Sequence, residues 1–168
     1  MKSILLASLC LVLGGSPLLA LTLNAALPIA VAQTPTYSDL VISLERTACF
    51  GTCPIYQLTV YGDGRVTYEG RAFVSVQGRQ TAQISPAQVQ QLVQAVEAAQ
   101  FFSLADQYTT DATDLPGAWT SVTLNGQSKR IWHYGATGHS GLDNAPRSLT
   151  ELEQAIDTIA NSQQWVAK

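Results

Sequence analysis

Cys49 and Cys53 bracket Phe50-Gly51-Thr52, and Pro54 follows directly. Two thiols this close can form a disulfide, cycle between dithiol and disulfide, or ligate a soft metal. A redox couple needs a thiolate stabilised by a helix N-terminus or a nearby cation. Cys53-Pro54 leads into an alternating strand pattern, which offers no helix dipole, and Arg46 is the cation at hand. The chain has three cysteines, and Cys10 falls in an apolar N-terminal run. That leaves an even pair for an oxidising compartment, so we read Cys49–Cys53 as a structural disulfide pinning a turn between two strands. The loop it closes is short, and by chain entropy the bond stabilises by about 2 kcal/mol.

Other constellations bear on chemistry less directly. C-x-x-x-C-P with a distant histidine resembles copper chaperones of the respiratory-oxidase type, which have a thioredoxin-like fold. Thiolates and imidazole suit Cu(I), so the alternative reading is a thiol-redox or copper-handling protein with Cys49, Cys53 and His133 as ligands, or His139 in place of His133. The hairpin-rich order of this chain is not that of a thioredoxin. Gly138-His139-Ser140-Gly141 lacks the nucleophile elbow, because Leu142 stands where its last glycine belongs, and Asp143 is too close in sequence for triad geometry. Asp111 and Asp114, with Glu97 and Asp106 upstream, could pair for acid–base work, but Asp114-Leu115-Pro116-Gly117 has turn chemistry. The balance leans away from an enzyme. Tyr56, Tyr61, Tyr68 and Trp132 could form an aromatic binding face, although aromatics also sit on strands for packing alone. Arg46, Cys49, Cys53, Tyr56, Asp114 and His133 are thus the candidate functional residues.

The N-terminus sets the compartment. Met1-Lys2 precedes an apolar run ending in Ala30-Val31-Ala32, a small-x-small pattern. This predicts a signal peptide over 1–32, cleaved after Ala32. An uncleaved N-terminal membrane anchor is the alternative, opposed by Gly14, Gly15, Pro17, Asn24 and Pro28 within the run. Export to the periplasm or the medium follows. The full chain carries nine basic and twelve acidic residues, net −3, and without Lys2 the balance is −4. No basic stripe is present, so nucleic acid is not an expected partner; an envelope protein or a small ligand is.

Residues 33–37 read as a flexible leader, and 38–168 as one α+β domain. Leu40, Ile42 and Leu44 alternate with Val41, Ser43 and Glu45, and Tyr56, Leu58 and Val60 with Gln57, Thr59 and Tyr61. That period-two pattern predicts strands with one buried face. Gly62-Asp63-Gly64 and Asn125-Gly126 predict hairpins. Gly70 is expected to end the third strand, a further strand to run from Phe73 to Val76, and Gln77-Gly78-Arg79 to turn into a short strand to Ile84. Ser85-Pro86-Ala87-Gln88 opens a helix with a capping box, and Ser148-Leu149-Thr150-Glu151 predicts another. Residues 107–117 and 135–147 read as loops. The order is a β-rich meander, α, ββ, α: an antiparallel hairpin-built sheet with two amphipathic helices packed on one face.

The stretch Arg46-Thr47-Ala48-Cys49-Phe50-Gly51-Thr52-Cys53-Pro54-Ile55-Tyr56 resembles a bacterial family of unknown function with the signature R-x-x-C-[FY]-G-x-C-P-x-Y. Gly62-Asp63-Gly64, Val66, Tyr68, Gly70, Thr113-Asp114-Leu115-Pro116, Lys129 to Tyr134 and the Leu149–Ile156 stripe extend the likeness over roughly 38–160. It implies an exported domain and carries no activity or site roles with it.

Overall fold

The computed structural model describes residues 36–136 and 144–167. Residues 1–32, where a signal peptide is expected, and His139, Ser140 and Asp143 lie outside the described residues. Among the described residues, seven strands form one sheet: β1 (Val41–Arg46), β2 (Ile55–Tyr61), β3 (Arg65–Ala72), β4 (Gly78–Gln83), β5 (Gln107–Tyr108), β6 (Gly117–Leu124) and β7 (Gln127–Tyr134). Their spatial order is β4-β3-β2-β1-β6-β7-β5. Every neighbouring pair is antiparallel except β5 with β7. The helices are α1 (Pro86–Ala98), α2 (Arg147–Ile159) and a short α3 (Gln163–Val166), with a 3-10 turn at Phe101–Ser103. The fold is α+β.

Alternation dictates which face is buried. Ile42, Leu44, Leu58, Val60 and Val66 point to one side and join Leu92, Val93 and Val96 of α1 and Leu149, Leu152 and Ile156 of α2 in a single core. Each such side chain contributes about 1.5–3 kcal/mol when removed from water. α1 starts where its sequence says. The Ser85 hydroxyl accepts from the Gln88 N–H at 3.3 Å, and the Gln88 side chain accepts from the Ser85 N–H at 2.9 Å. Downstream, Phe101 is buried, and Trp165 of α3 stacks on Tyr68 at 4.8 Å between ring centres.

The structure corrects several expectations. Gly70 does not end β3; the strand runs on to Ala72, and the chain turns at 73–76, with Phe73 at φ 55°. A side chain at Gly70 would place its Cβ 2.2 Å from the Val76 carbonyl oxygen, so glycine serves close approach here. Gly78 and Arg79 lie within β4 instead of a turn. The first residues of the expected 107–117 loop form β5. The second capping box is not made: α2 begins after Pro146 with no side-chain cap, and Glu151 accepts from Arg147 Nε at 2.8 Å instead.

Gly70→Ala forces that carbonyl contact apart. We expect a loss of about 1–3 kcal/mol, the usual cost of overpacking. Urea denaturation reads it, and an unchanged midpoint would refute the close-approach role.

Candidate functional site

Register brings four strand residues into one row on the buried face. Tyr56 pairs with Arg46, Arg46 with Ala118, and Ala118 with His133. Directly opposed residues share a face, so the four side chains all point toward α2. From α2, Glu153 and Asp157 project one turn apart on the same side of the helix. Arg46 bridges both: Nη1 donates to Glu153 Oε2 at 3.0 Å, while Nε and Nη2 donate to Asp157 Oδ2 at 3.3 and 3.0 Å. Tyr56 donates its hydroxyl to Asp157 Oδ1 at 2.7 Å.

The other half of the cluster hangs on Glu153. Its Oε1 accepts from Thr120 Oγ1 at 3.3 Å and from His133 Nδ1 at 3.0 Å. Arg46 and His133 are two strand spacings apart, about 10 Å. The small Ala118 between them leaves the space through which Glu153 reaches both. Glu153 and His133 are each 1% exposed. A carboxylate there is tolerable only because charge and hydrogen bonds meet it.

Electrostatics follow from this packing. Burial alone would lower the Arg46 pKa, but Asp157 and then Glu153 outweigh it and hold the guanidinium above its usual range. Burial raises the Tyr56 phenol first, and the negative Asp157 raises it further. Burial likewise raises Tyr68.

Cys49 and Cys53 are joined, with Cα atoms 5.7 Å apart. The loop is further tied down. Phe50 N–H donates to the Asp114 carbonyl at 3.1 Å, Thr47 N–H donates to the Gly117 carbonyl at 2.9 Å, and Thr47 Oγ1 accepts from the Gly117 N–H at 3.0 Å. Asp114 therefore acts through its backbone; its side chain is exposed, takes a hydrogen bond from Thr113 Oγ1 at 3.2 Å, and its φ is 67°. A cleft of about 650 Å³ lies beside the loop, lined by Arg46, Cys53, Pro54, Tyr56, Gln154, Gln163 and Val166 among others.

Of the sequence-derived candidates, the structure joins Arg46, Tyr56 and His133 through α2, and joins the two cysteines to each other. Asp114 touches the cysteine loop, and no described cavity is lined by both Asp114 and His133. Glu153, Asp157 and Thr120 were not foreseen. The signal was present: Glu153 sits within the apolar stripe Leu149, Leu152, Ile156, where a charged residue needs a buried partner. Among the described residues no group of three or more His, Cys, Asp or Glu is arranged to hold a metal, and no helix is long and apolar enough to cross a membrane.

Arg46→Ala leaves two carboxylates without their cation, for an expected loss of about 3–5 kcal/mol. Restoring near-wild-type stability by adding Asp157→Asn alone would contradict the double bridge, since Glu153 would remain uncompensated. The Tyr56 phenol has a second signature. Its native pKa is raised above the unfolded value of about 10. Its contribution is therefore complete below that pH and is lost as pH rises through the native value. Denaturation midpoints should fall on the alkaline side, and less steeply in Tyr56→Phe; identical alkaline limbs would exclude the effect.

No curated protein matches the chain. A family model described as a domain of unknown function, DUF6438, matches residues 40–160, which includes every strand among the described residues and α1 as well as α2. The chain therefore belongs to the DUF6438 family.

Proposed function

We propose that the chain is an exported, non-enzymatic binding or structural module of the bacterial envelope, delivered by the 1–32 signal and clasped by Cys49–Cys53. The disulfide carries this reading, because such bonds persist in oxidising compartments. The residue types that could do chemistry are also spent on architecture. Asp157 has both oxygens engaged, Glu153 likewise, and Arg46 donates to both carboxylates. Phe50 supports a contact role for the loop: it is 88% exposed at the tip of a turn held by the disulfide and by Asp114. An aromatic presented on a rigid loop costs little conformational entropy to bury against a partner. The copper-handling alternative requires the disulfide to be opened first.

Two measurements test the proposal. Thiol labelling of protein recovered from outside the cytoplasm should find Cys49 and Cys53 blocked until reductant is added; free thiols, or one Cu(I) bound per chain and lost in Cys53→Ser, would overturn it. Cys49→Ser with Cys53→Ser should cost about 2 kcal/mol. Phe50→Ala should change stability by less than about 0.5 kcal/mol. A larger loss would make Phe50 a structural residue and remove it as a contact.

A further inference from the structure

The face of the sheet turned away from the helices is organised in rows. One row runs Arg79, Glu69, Gln57, Glu45, Trp119, Trp132 from β4 to β7. The next runs Thr81, Thr67, Thr59, Ser43, Ser121, Arg130 across the same six strands. None of these side chains is buried. The second row is short and hydroxyl-bearing from Thr81 to Ser121 and closes with the long Arg130, and the first row is long, so a trough forms with the five hydroxyls as its floor. Two polar hollows lie along it, of about 340 and 240 Å³, and Gln57 lines both. Six strands at about 4.8 Å spacing make the trough about 24 Å long.

One end carries an aromatic platform. Trp119 and Trp132 lie 4.8 Å apart, and Trp132 and Tyr134 lie 6.3 Å apart. Gly117 makes room for it, because a Cβ there would come within 2.1 Å of the Trp132 ring. These indoles take no part in the core on the opposite face, where Trp165 lies. Away from the platform, Arg65 of β3 covers the Tyr61 ring of β2 at 3.6 Å, and at the platform Arg130 covers Trp119 at 4.0 Å.

Charge on this face is nearly balanced. Glu45 is shared by Arg71 and Arg130, Glu69 meets Arg79 at 3.7 Å, and Asp63 lies 4.0 Å from Arg65. Four arginines stand against three carboxylates. That does not suit a polyanion such as nucleic acid, which needs a run of uncompensated cations. It suits an uncharged, hydroxyl-rich ligand with apolar ring faces.

We propose that this trough binds an extended, uncharged glycan chain, with one sugar stacked on Trp119 and Trp132 and its hydroxyls exchanging hydrogen bonds with Gln57 and the Thr59–Ser43–Ser121 floor. An extended β-linked chain advances by about one strand spacing per sugar, so successive rings fall on successive strands. This rests on the binding-module reading and gives that module a ligand class at a surface other than the cysteine loop.

The test titrates the protein with cellohexaose and chitohexaose, with polygalacturonate and oligothymidylate as the anionic competitors. At least one uncharged hexamer should change the fluorescence of the platform tryptophans and bind more tightly than either anion. Trp119→Ala should weaken it about tenfold, which corresponds to about 1.4 kcal/mol. Thr59→Val keeps shape and strand propensity, removes one floor hydroxyl, and should cost roughly two- to tenfold. Arg147→Gln, on an exposed position of α2, should change nothing. The proposal falls if neither hexamer binds, if binding ignores both trough variants, or if an anion binds more tightly. Thiol labelling is independent of these results, so a blocked disulfide with no glycan binding rejects the ligand class alone, whereas free thiols reject the exported, clasped module itself.

Discussion

The bridge from Arg46 to Glu153 and Asp157 fixes where α2 sits. Apolar burial is non-directional: Leu149, Leu152 and Ile156 would be nearly as well removed from water with the helix slid or rotated by part of a turn. Hydrogen bonds are directional, and a guanidinium fork has one geometry toward two carboxylates. Because Glu153 and Asp157 are one turn apart, Arg46 can meet both only at one height and one rotation of α2. A buried ion pair is poor evidence of net stability. Its role here is specification. Once α2 is placed, the turn after it brings Trp165 onto Tyr68, and the Trp165 carbonyl accepts from the Val76 N–H at 2.9 Å.

The same bridge governs the cysteine loop. Arg46 ends β1 and Tyr56 lies one residue into β2, and they oppose each other in register. Both bind Asp157, so the two stems of the loop are held to one helical residue. The disulfide then closes a loop whose ends are already fixed. Bridge and disulfide restrain different degrees of freedom. The bridge sets the separation of the stems and their attachment to α2, and the disulfide limits the path of the residues between them. Phe50 can remain exposed because nothing in this arrangement uses its side chain.

Local patterns made much of the strand content legible. Ile42 and Leu44, then Tyr56, Leu58 and Val60, are buried as period two requires, and the Ser85 box starts α1. Sequence signals failed where a residue serves a distant neighbour. Gly70 has the look of a strand breaker, yet it is glycine because the Val76 carbonyl passes close by. Ser148 and Glu151 have the spacing of a capping box, but Glu151 takes Arg147 and the box is left unmade. The insertion of β1 between β2 and β6 depends on pairings some seventy residues apart, such as Arg46 with Ala118, which no local window contains. The bridge is the extreme case, with partners more than a hundred residues apart. Arg46, Tyr56 and His133 could be singled out by type, but the residues that gather them could not. Even so, Glu153 announced a problem: a carboxylate on an apolar stripe must find a cation or donors.

The two faces of the sheet answer different constraints, and the contrast bears on the aromatic residues. Four aromatics stood out in the strands, and register divides them: Tyr56 and Tyr68 face the helices, Tyr61 and Trp132 face away. The inward pair is explained by burial, as is Trp165. The outward set, with Trp119 and Tyr134, cannot be, because the core lies on the other side of the backbone. A sheet face that needs only solvation is served by threonine, serine and charged pairs, which make up most of the rest of this one. Two indoles side by side on such a face expose apolar surface that folding does not require. Arg130 over Trp119 covers part of it, and the flat approach of Trp132 over Gly117 hides another part. What remains is a stacking surface at the end of a hydroxyl-floored trough. Its geometry is set by strand spacing, so a ligand with a matching repeat would find its contacts already in place.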